Sequence, residues 1–315
     1  MRRWLKKLGP VIGLVVVFGL FTALRPGKFA TGANLELMLL QTAVVGTGAL
    51  GMTLVIISGG IDLSVGSVVA MTTVVIALLL NHGAPPVVAA LGGVAGGILC
   101  GGLIGTLITQ LKLTPFIVTL GMWGALRGAA KGLAGEQMVM APATGLNRLL
   151  NTLAPGQRWM LVPPGVWLML GLAATVFAFL RYTRRGRHIV AVGSNEQTAR
   201  LCGVPVEWTK LTVYGLGSGF AALAGILQFS YLTVGDPTTA AGMELDIIAA
   251  VVIGGGSLAG GEGSVLGSLI GALIMTVVAN GCTKLELPNW VQEIVTGGII
   301  IAAVTLDRWR HRRSE

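Results

Sequence analysis

Charge is what this sequence most lacks. Only 11% of its 315 residues are Asp, Glu, Lys or Arg, against roughly 25% in a soluble domain, too few to coat a water-facing surface. Histidine is as scarce. His82, His188 and His311 all fall outside the long apolar runs, so Ser218 of "LGSGF" has no base beside it, and a serine nucleophile needs one within hydrogen-bond reach. Apolar runs carrying paired aspartates, as an aspartyl protease would need, are missing too. Cys100, Cys202 and Cys282 are scattered and odd in number, which excludes a disulfide framework or a metal pattern. The glycine-rich "GGGSLAGGEGS" has no Gly-Lys-Ser/Thr, so the lysine that would hold phosphates is absent. No catalytic residue, metal or cofactor is therefore expected in this chain, and it is not expected to be an enzyme.

Apolar length is what the sequence has. Hydrophobic residues make up 53% and the mean hydropathy is +0.80. A bilayer core of ~30 Å needs about 20 residues of helix. Ten stretches qualify as candidate spans: about 8–24, 35–57, 65–81, 86–108, 115–133, 163–181, 211–232, 245–257, 264–281 and 291–306. The eighth is short, and it and the glycine-rich stretches beside it could be broken or re-entrant. The first follows basic residues as a leader peptide would, but "TALRPGKFA" offers no clear cleavage site, so it is read as a span. The 48 glycines, many in pairs such as Gly92-Gly93, Gly96-Gly97 and Gly101-Gly102, suit close helix packing in lipid.

The net charge of +9 is concentrated in three places, which argues against nucleic acid. Arg2, Arg3, Lys6 and Lys7 lie at one end and Arg308, Arg310, Arg312 and Arg313 at the other. Arg181, Arg184, Arg185, Arg187, Arg200 and Lys210 lie between. Lys/Arg excess near span ends marks the cytoplasmic side. Ten spans with both termini inside put all three clusters inside. The expected fold is thus an all-α polytopic membrane helix bundle of about ten transmembrane helices, N-in and C-in, with glycine-broken helices. Residues 1–315 form a single transmembrane domain with no soluble domain. The outer segment 134–162 reads as an irregular loop with room for a short helix.

Residues 182–210 form a cytoplasmic loop longer than a hairpin needs. Inside it, Ser194 or Asn195 caps a short helix, Glu196 suits its positive end, and Gly203 and Pro205 stop it. The plainer reading of its composition is a solvated basic loop; the functional one is a docking element for a cytoplasmic partner.

Two glycine-rich stretches form a weak internal repeat. "VIISGGIDLSVGSVVA" from Val55 and "VVIGGGSLAGGEGSVLG" from Val251 each carry one acid, Asp62 or Glu262, and resume through Gly-Ser-Val. Glycine-interrupted spans in matching positions point to the working part of a transporter. Backbone leaves helix at membrane depth only where protein or a water-filled cavity satisfies it. The break residues are Ser58, Gly59, Gly60, Asp62 and Ser64, then Gly254, Gly255, Gly256, Gly260 and Gly261. Asp62 is expected to cap a helix starting near Leu63.

Three motifs, in order, carry a resemblance over nearly the whole chain. They are "SGGIDLSVGSVVAM", "GRHIVAVGSNEQTARLCGVPV" and "ELDIIAAVVIGGGSLAGGEGSVLGSLIGALIM". The chain resembles the permease subunits of bacterial ABC-type importers for ribose and other simple sugars. The resemblance implies an inner-membrane protein served by a periplasmic sugar-binding protein, a second permease chain and a cytoplasmic ATPase that uses ATP and Mg. It also implies a coupling helix, which falls on Asn195–Gly203 with Glu196 and Arg200 on its exposed face; Gly193 belongs to the same segment. The "EAA…G" pattern of many importers is only loosely present, since Gln197 and Thr198 replace the alanines. The sugar itself is not named by these motifs.

An ion-coupled carrier for a small neutral solute is the alternative. Such carriers bury ionisable groups within spans. Of Glu36, Asp62, Arg127, Lys131, Asp246 and Glu262, only Arg127 and Lys131 sit at any depth in the predicted spans. A channel would need a ring of charge that is absent. Few buried charges suit a neutral, hydroxyl-rich ligand, whose path would be lined by some of Asn34, Gln41, Thr42, Ser58, Ser64, Ser67, Thr119 and Trp123. For each of these taken singly, an interhelical hydrogen bond is the plainer and favoured reading.

Overall fold

The computed structural model describes residues 2–153 and 155–312. Arg313 lies outside them, as do the side chains of the other terminal basic residues, Arg2 to Lys7 and Arg308 to Arg312. The described residues form α1 (Arg2–Leu24), α2 (Gly32–Ile57), α3 (Val65–Asn81), α4 (Pro86–Gln110), α5 (Pro115–Leu133), α6 (Pro164–Tyr182), α7 (Arg184–Ser194), α8 (Glu196–Leu201), α9 (Val206–Leu232), α10 (Met243–Ile253), α11 (Val265–Lys284) and α12 (Asn289–Arg312). Helices form at all ten apolar stretches. Five of them, α2, α4, α6, α9 and α11, are long and apolar enough on their own to cross a membrane.

Local sequence starts these helices where they start. Pro86, Pro115 and Pro164 open α4, α5 and α6, where a missing N–H costs nothing. Thr31 accepts from the Asn34 amide to cap α2, and Ser264 accepts from the Gly267 amide to cap α11.

Helix α2 is the centre, with its apolar window 89% buried, while those of α4 and α6 are 33% and 28% buried and leave apolar faces outward. The main core joins α2, α3, α9, α10 and α11 through residues such as Leu54, Val68, Val213, Ile247 and Met275. Glycine brings the helices together. Gly97, Gly101 and Gly105, spaced by four on α4, lie on Ser218, Tyr214 and Leu211 of α9, so closely that a Cβ on Gly105 would stand 3.0 Å from the Leu211 Cα. Their neighbours Gly96 and Gly102 face open space. In the pairs Gly96-Gly97 and Gly101-Gly102 one glycine therefore packs and the other faces open space, while both Gly92 and Gly93 meet α3. Helices α10 and α11 cross in the same way, Gly254 and Ala250 against Gly267 and Gly271.

Two expectations need correction. The 182–210 segment holds two helices, since α7 precedes the short α8. Its Thr183 cap, whose hydroxyl accepts from the Gly186 amide at 3.0 Å, was overlooked behind the arginines. The 134–162 segment holds two 3-10 turns and a two-residue strand β1 (Val139–Met140), which pairs antiparallel with β2 (Val234–Gly235).

Candidate functional site

Helices α2 and α10 end alike. The amides of Gly59 and Gly60 donate to the carbonyls of Ile56 and Val55, and those of Gly255 and Gly256 to Val252 and Val251. This is the six-residue closure that needs a left-handed residue, supplied by Gly59 at φ +81° and Gly255 at φ +93°. Ser58 and Gly254 are the C-cap residues. The repeat seen in sequence is therefore a repeat of helix ends.

The two ends touch, and the loop between them in sequence joins in. The Gly261 amide donates to the Ile57 carbonyl at 2.9 Å. Gly193, at the end of α7, presses on that same carbonyl, and a Cβ there would stand 2.7 Å from the Gly261 nitrogen. A Cβ on Gly260 would stand 2.9 Å from the Gly59 Cα. Three distant segments thus share one knot in which Gly193 and Gly260 meet backbone alone, with the Ser194 side chain beside Gly261.

Two stretches, 58–64 and 236–242, run without helix. The stretch 58–64 leaves this knot. The stretch 236–242 follows the far end of α9, whose 27 residues span about 40 Å. The two meet at the start of α3, where Gly66 lies against the Ala240 carbonyl and the Glu244 carboxylate. Helix α10 has 11 residues, about 16 Å, half the thickness of a hydrocarbon core. The same turn shapes both stretches. Asp62 Oδ1 accepts from the amide and hydroxyl of Ser64 at 2.8 and 2.6 Å. Asp236 Oδ1 accepts from the amide and hydroxyl of Thr238 at 2.8 and 2.7 Å. Asp62 is therefore not the cap of α3, which starts at Val65 after Ser64 without a side-chain cap bond. The sequence comparison matched Asp62 with Glu262. The structure matches it with Asp236, a signal legible as Asp-x-Ser/Thr before a helix.

Helix α5 holds both stretches along one face. The Thr119 hydroxyl donates to the Ile61 carbonyl at 3.3 Å, and Ser67 donates to the Trp123 carbonyl at 2.7 Å. Arg127 Nη1 donates to the carbonyls of Pro237 and Thr239 at 3.1 and 2.6 Å. Positions 119, 123 and 127 share a helix face by their spacing of four. Five buried polar atoms have no partner among the described residues: Asp62 Oδ2, Tyr214 Oη, Ser218 Oγ, Arg127 Nη2 and Glu244 Oε2. Those of Asp62, Arg127 and Glu244 belong to this framework and Tyr214 Oη lies against Gly60, while Ser218 faces Gly101 of α4. Such groups are rare in folded proteins and mark where water or a ligand belongs.

The other predicted residues fall elsewhere. Asn34 pairs reciprocally with Asn280 of α11 at 2.9 and 3.1 Å, and Thr119 is fully buried in its bond to Ile61. Gln41 is half-buried on α2. Trp123 keeps 38% of its surface exposed.

In the 182–210 segment Asn195, not Ser194, caps α8, its Oδ1 accepting from the Thr198 amide at 2.8 Å. Ser194 is spent on the Val190 carbonyl. Glu196 and Arg200 do face outward but are engaged. Arg200 Nη1 meets Glu207 at 2.6 Å and its Nη2 meets Glu196 at 3.7 Å, while Lys210 meets Glu196 at 2.6 Å. The Glu207 carboxyl is held below its ordinary value by its own backbone amide first and then by Arg200. These four charges edge a groove of about 430 Å3 that Lys112 and Leu113, after α4, complete. After Glu196 and Arg200 come Leu201, 89% exposed, and Gly203, which closes α8 through its bond to the Arg200 carbonyl. Leu201 escaped sequence reasoning. Its signal was an apolar residue ending a two-turn helix in a polar segment. Among the described residues no group of three or more His, Cys, Asp or Glu could hold a metal ion.

The family described as "Branched-chain amino acid transport system / permease component" matches residues 34–304. The ribose import permease protein of Escherichia coli (strain K12) is 39% identical over 306 residues, covering 97% of this chain and 95% of its own. The ribose import permease protein of Bacillus subtilis (strain 168) is 37% identical, covering 96% and 93%. The fructose import permease protein of Rhizobium meliloti is 35% identical, covering 95% and 84%. No solved structure matches the chain.

Proposed function

The chain belongs to this family of transport-system permease components, and on that premise we propose that it passes a monosaccharide, ribose or a related sugar, into the bacterial cell. It is the non-enzymatic membrane subunit of an ATP-driven importer of the inner membrane, and ATP with Mg is used by a partner ATPase. The observation that carries the sugar assignment is likeness at more than nine-tenths of this chain's length to permeases named for ribose and fructose import.

Ten helices cross the membrane with both termini inside, and two such chains, identical or different, enclose the path. Residues 1–315 are one transmembrane domain. Asp62, Trp123, Arg127 and Glu244 border the path where the broken stretches meet, and their unspent hydrogen-bonding atoms suit a hydroxylated solute. Helix α8 docks on the ATPase through Leu201, with Asn195, Glu196, Arg200 and Gly203 fixing its shape. Gly193 carries its motion to the knot at Ile57 and Gly261, because a contact made only of backbone has no side chain to absorb a displacement.

The test is reconstitution. The chain, its ATPase and the periplasmic sugar-binding protein are placed in liposomes, and ATP hydrolysis is measured against pentoses, hexoses and leucine. Stimulation by one sugar is expected. Stimulation by leucine alone, or uptake driven by an ion gradient without ATP, overturns the reading.

A further inference from the structure

We propose that the start of α7 and the start of α9 form a binding site for the headgroup of an acidic phospholipid. A cavity of about 260 Å3 opens there, lined by Arg185, His188, Ile189, Trp208 and Thr212. Its rim is cationic and its floor is apolar, since Ile189 is buried and Thr212 returns its hydroxyl to the Trp208 carbonyl.

The charges around it are unbalanced in a way those nearby are not. Arg200 and Lys210 have Glu196 and Glu207 as partners. Among the described residues Arg184, Arg185 and Arg187 form no ion pair, and no acid lies between residues 137 and 195 to serve them. Arg184 and Arg185 also open α7, the helix end where positive charge is unfavourable. A bound anion relieves both.

The place selects a lipid over a soluble anion. Helix α6 ends at Tyr182 and α7 begins two residues later, so these arginines stand where an apolar helix ends. Tyr182 and Trp208 are 71% and 70% exposed, as aromatic side chains are at a membrane interface. Arg181 lies 6.0 and 5.9 Å over the rings of Phe177 and Tyr182. Basic pockets between helices at this depth receive acidic headgroups. The site adjoins α7, so an occupied pocket braces the helix that carries Gly193 in its last turn.

The experiment uses the full chain bound to its ATPase, delipidated and titrated with phosphatidylglycerol or phosphatidylcholine, with retained lipid counted by native mass spectrometry. The wild type is expected to retain phosphatidylglycerol preferentially. Arg185→Gln is expected to lower that retention roughly fivefold, the worth of one cation at an acidic surface, and Arg185→Lys to preserve it. Equal retention of the two lipids, or unchanged retention in Arg185→Gln, overturns the proposal. So does displacement of phosphatidylglycerol by inorganic phosphate alone, which would make this a site for the free anion. Thermal stabilisation of the wild type by phosphatidylglycerol and not by phosphatidylcholine is a second expected result that needs no variant, and its absence counts against the site. Neither measurement requires sugar transport, so each can fail while the importer reading stands.

Discussion

The amide of Gly261 donates to the carbonyl of Ile57 at 2.9 Å, and Gly193 packs on the same carbonyl. This single bond ties the end of α2 to the connection between α10 and α11, and the close approach ties both to the helix pair α7 and α8. No side chain fits among them.

Gly193→Ala is therefore expected to force the knot apart. Overpacking of this kind costs about 1–3 kcal/mol, read as a lowered unfolding temperature of the detergent-solubilised chain, with loss of uptake. Ala at Gly102, which faces open space, is expected to leave both unchanged. Wild-type stability and uptake in Gly193→Ala would show that the contact is not tight.

Asp62 acts through one oxygen, Oδ1, which holds Ser64. Asn keeps that acceptor and carries no charge, so Asp62→Asn is expected to retain uptake. Leu removes it and leaves the Ser64 donors unsatisfied at about 1–3 kcal/mol each, so Asp62→Leu is expected to abolish uptake. Initial rates in proteoliposomes decide it, and equal loss in the two variants would mean that the charge itself is needed.

Arg127 holds two carbonyls of the stretch 236–242. Arg127→Met frees that stretch, and a cysteine introduced at Thr238 should then react faster with a water-soluble maleimide, with uptake falling several-fold. Unchanged labelling would mean that the turn at Asp236 suffices by itself.

Leu201 projects from α8, and none of the described residues covers it. Leu201→Asp is expected to weaken co-purification of the ATPase and sugar-stimulated hydrolysis without changing the unfolding temperature. Retained stimulation would remove α8 from the docking surface.

Glu207 has a folded-state pKa below its ordinary value of 4.5. A depressed carboxyl stabilises the fold above its unfolded pKa, and that stability is lost as pH falls through the folded value. Wild type and Glu207→Gln should differ in unfolding temperature at neutral pH and converge as the pH falls through the folded value, below 4.5. The difference is small, because the group is exposed and screened. A gap that widened on acidification would contradict the pairing with Arg200.

Much of this was legible in sequence because it is local or compositional. Ten apolar stretches of helical length predict ten helices, and glycines after α2 and α10 predict their ends. Asn195 was one of two named caps for α8, and only the hydrogen bond to Thr198 separates it from Ser194. Helix α7 was hidden because its first turn is a run of arginines, which reads as solvated loop.

What the sequence by itself determined is the set of apolar helices, the membrane class and the places where helix must stop, since these follow from hydropathy, proline and glycine over short windows. Which segments touch was decided only in three dimensions. Glycine carries no side chain to announce a partner, so nothing in "SGGID", "AVGSN" or "LAGGEG" says that Gly59, Gly193 and Gly260 share one knot. Likewise Thr119, Trp123 and Arg127 read as three scattered polar or aromatic residues, and only the fold lays both broken stretches along their common face. Backbone carbonyls are the partners there, and every residue has one, so no residue type could reveal them in advance.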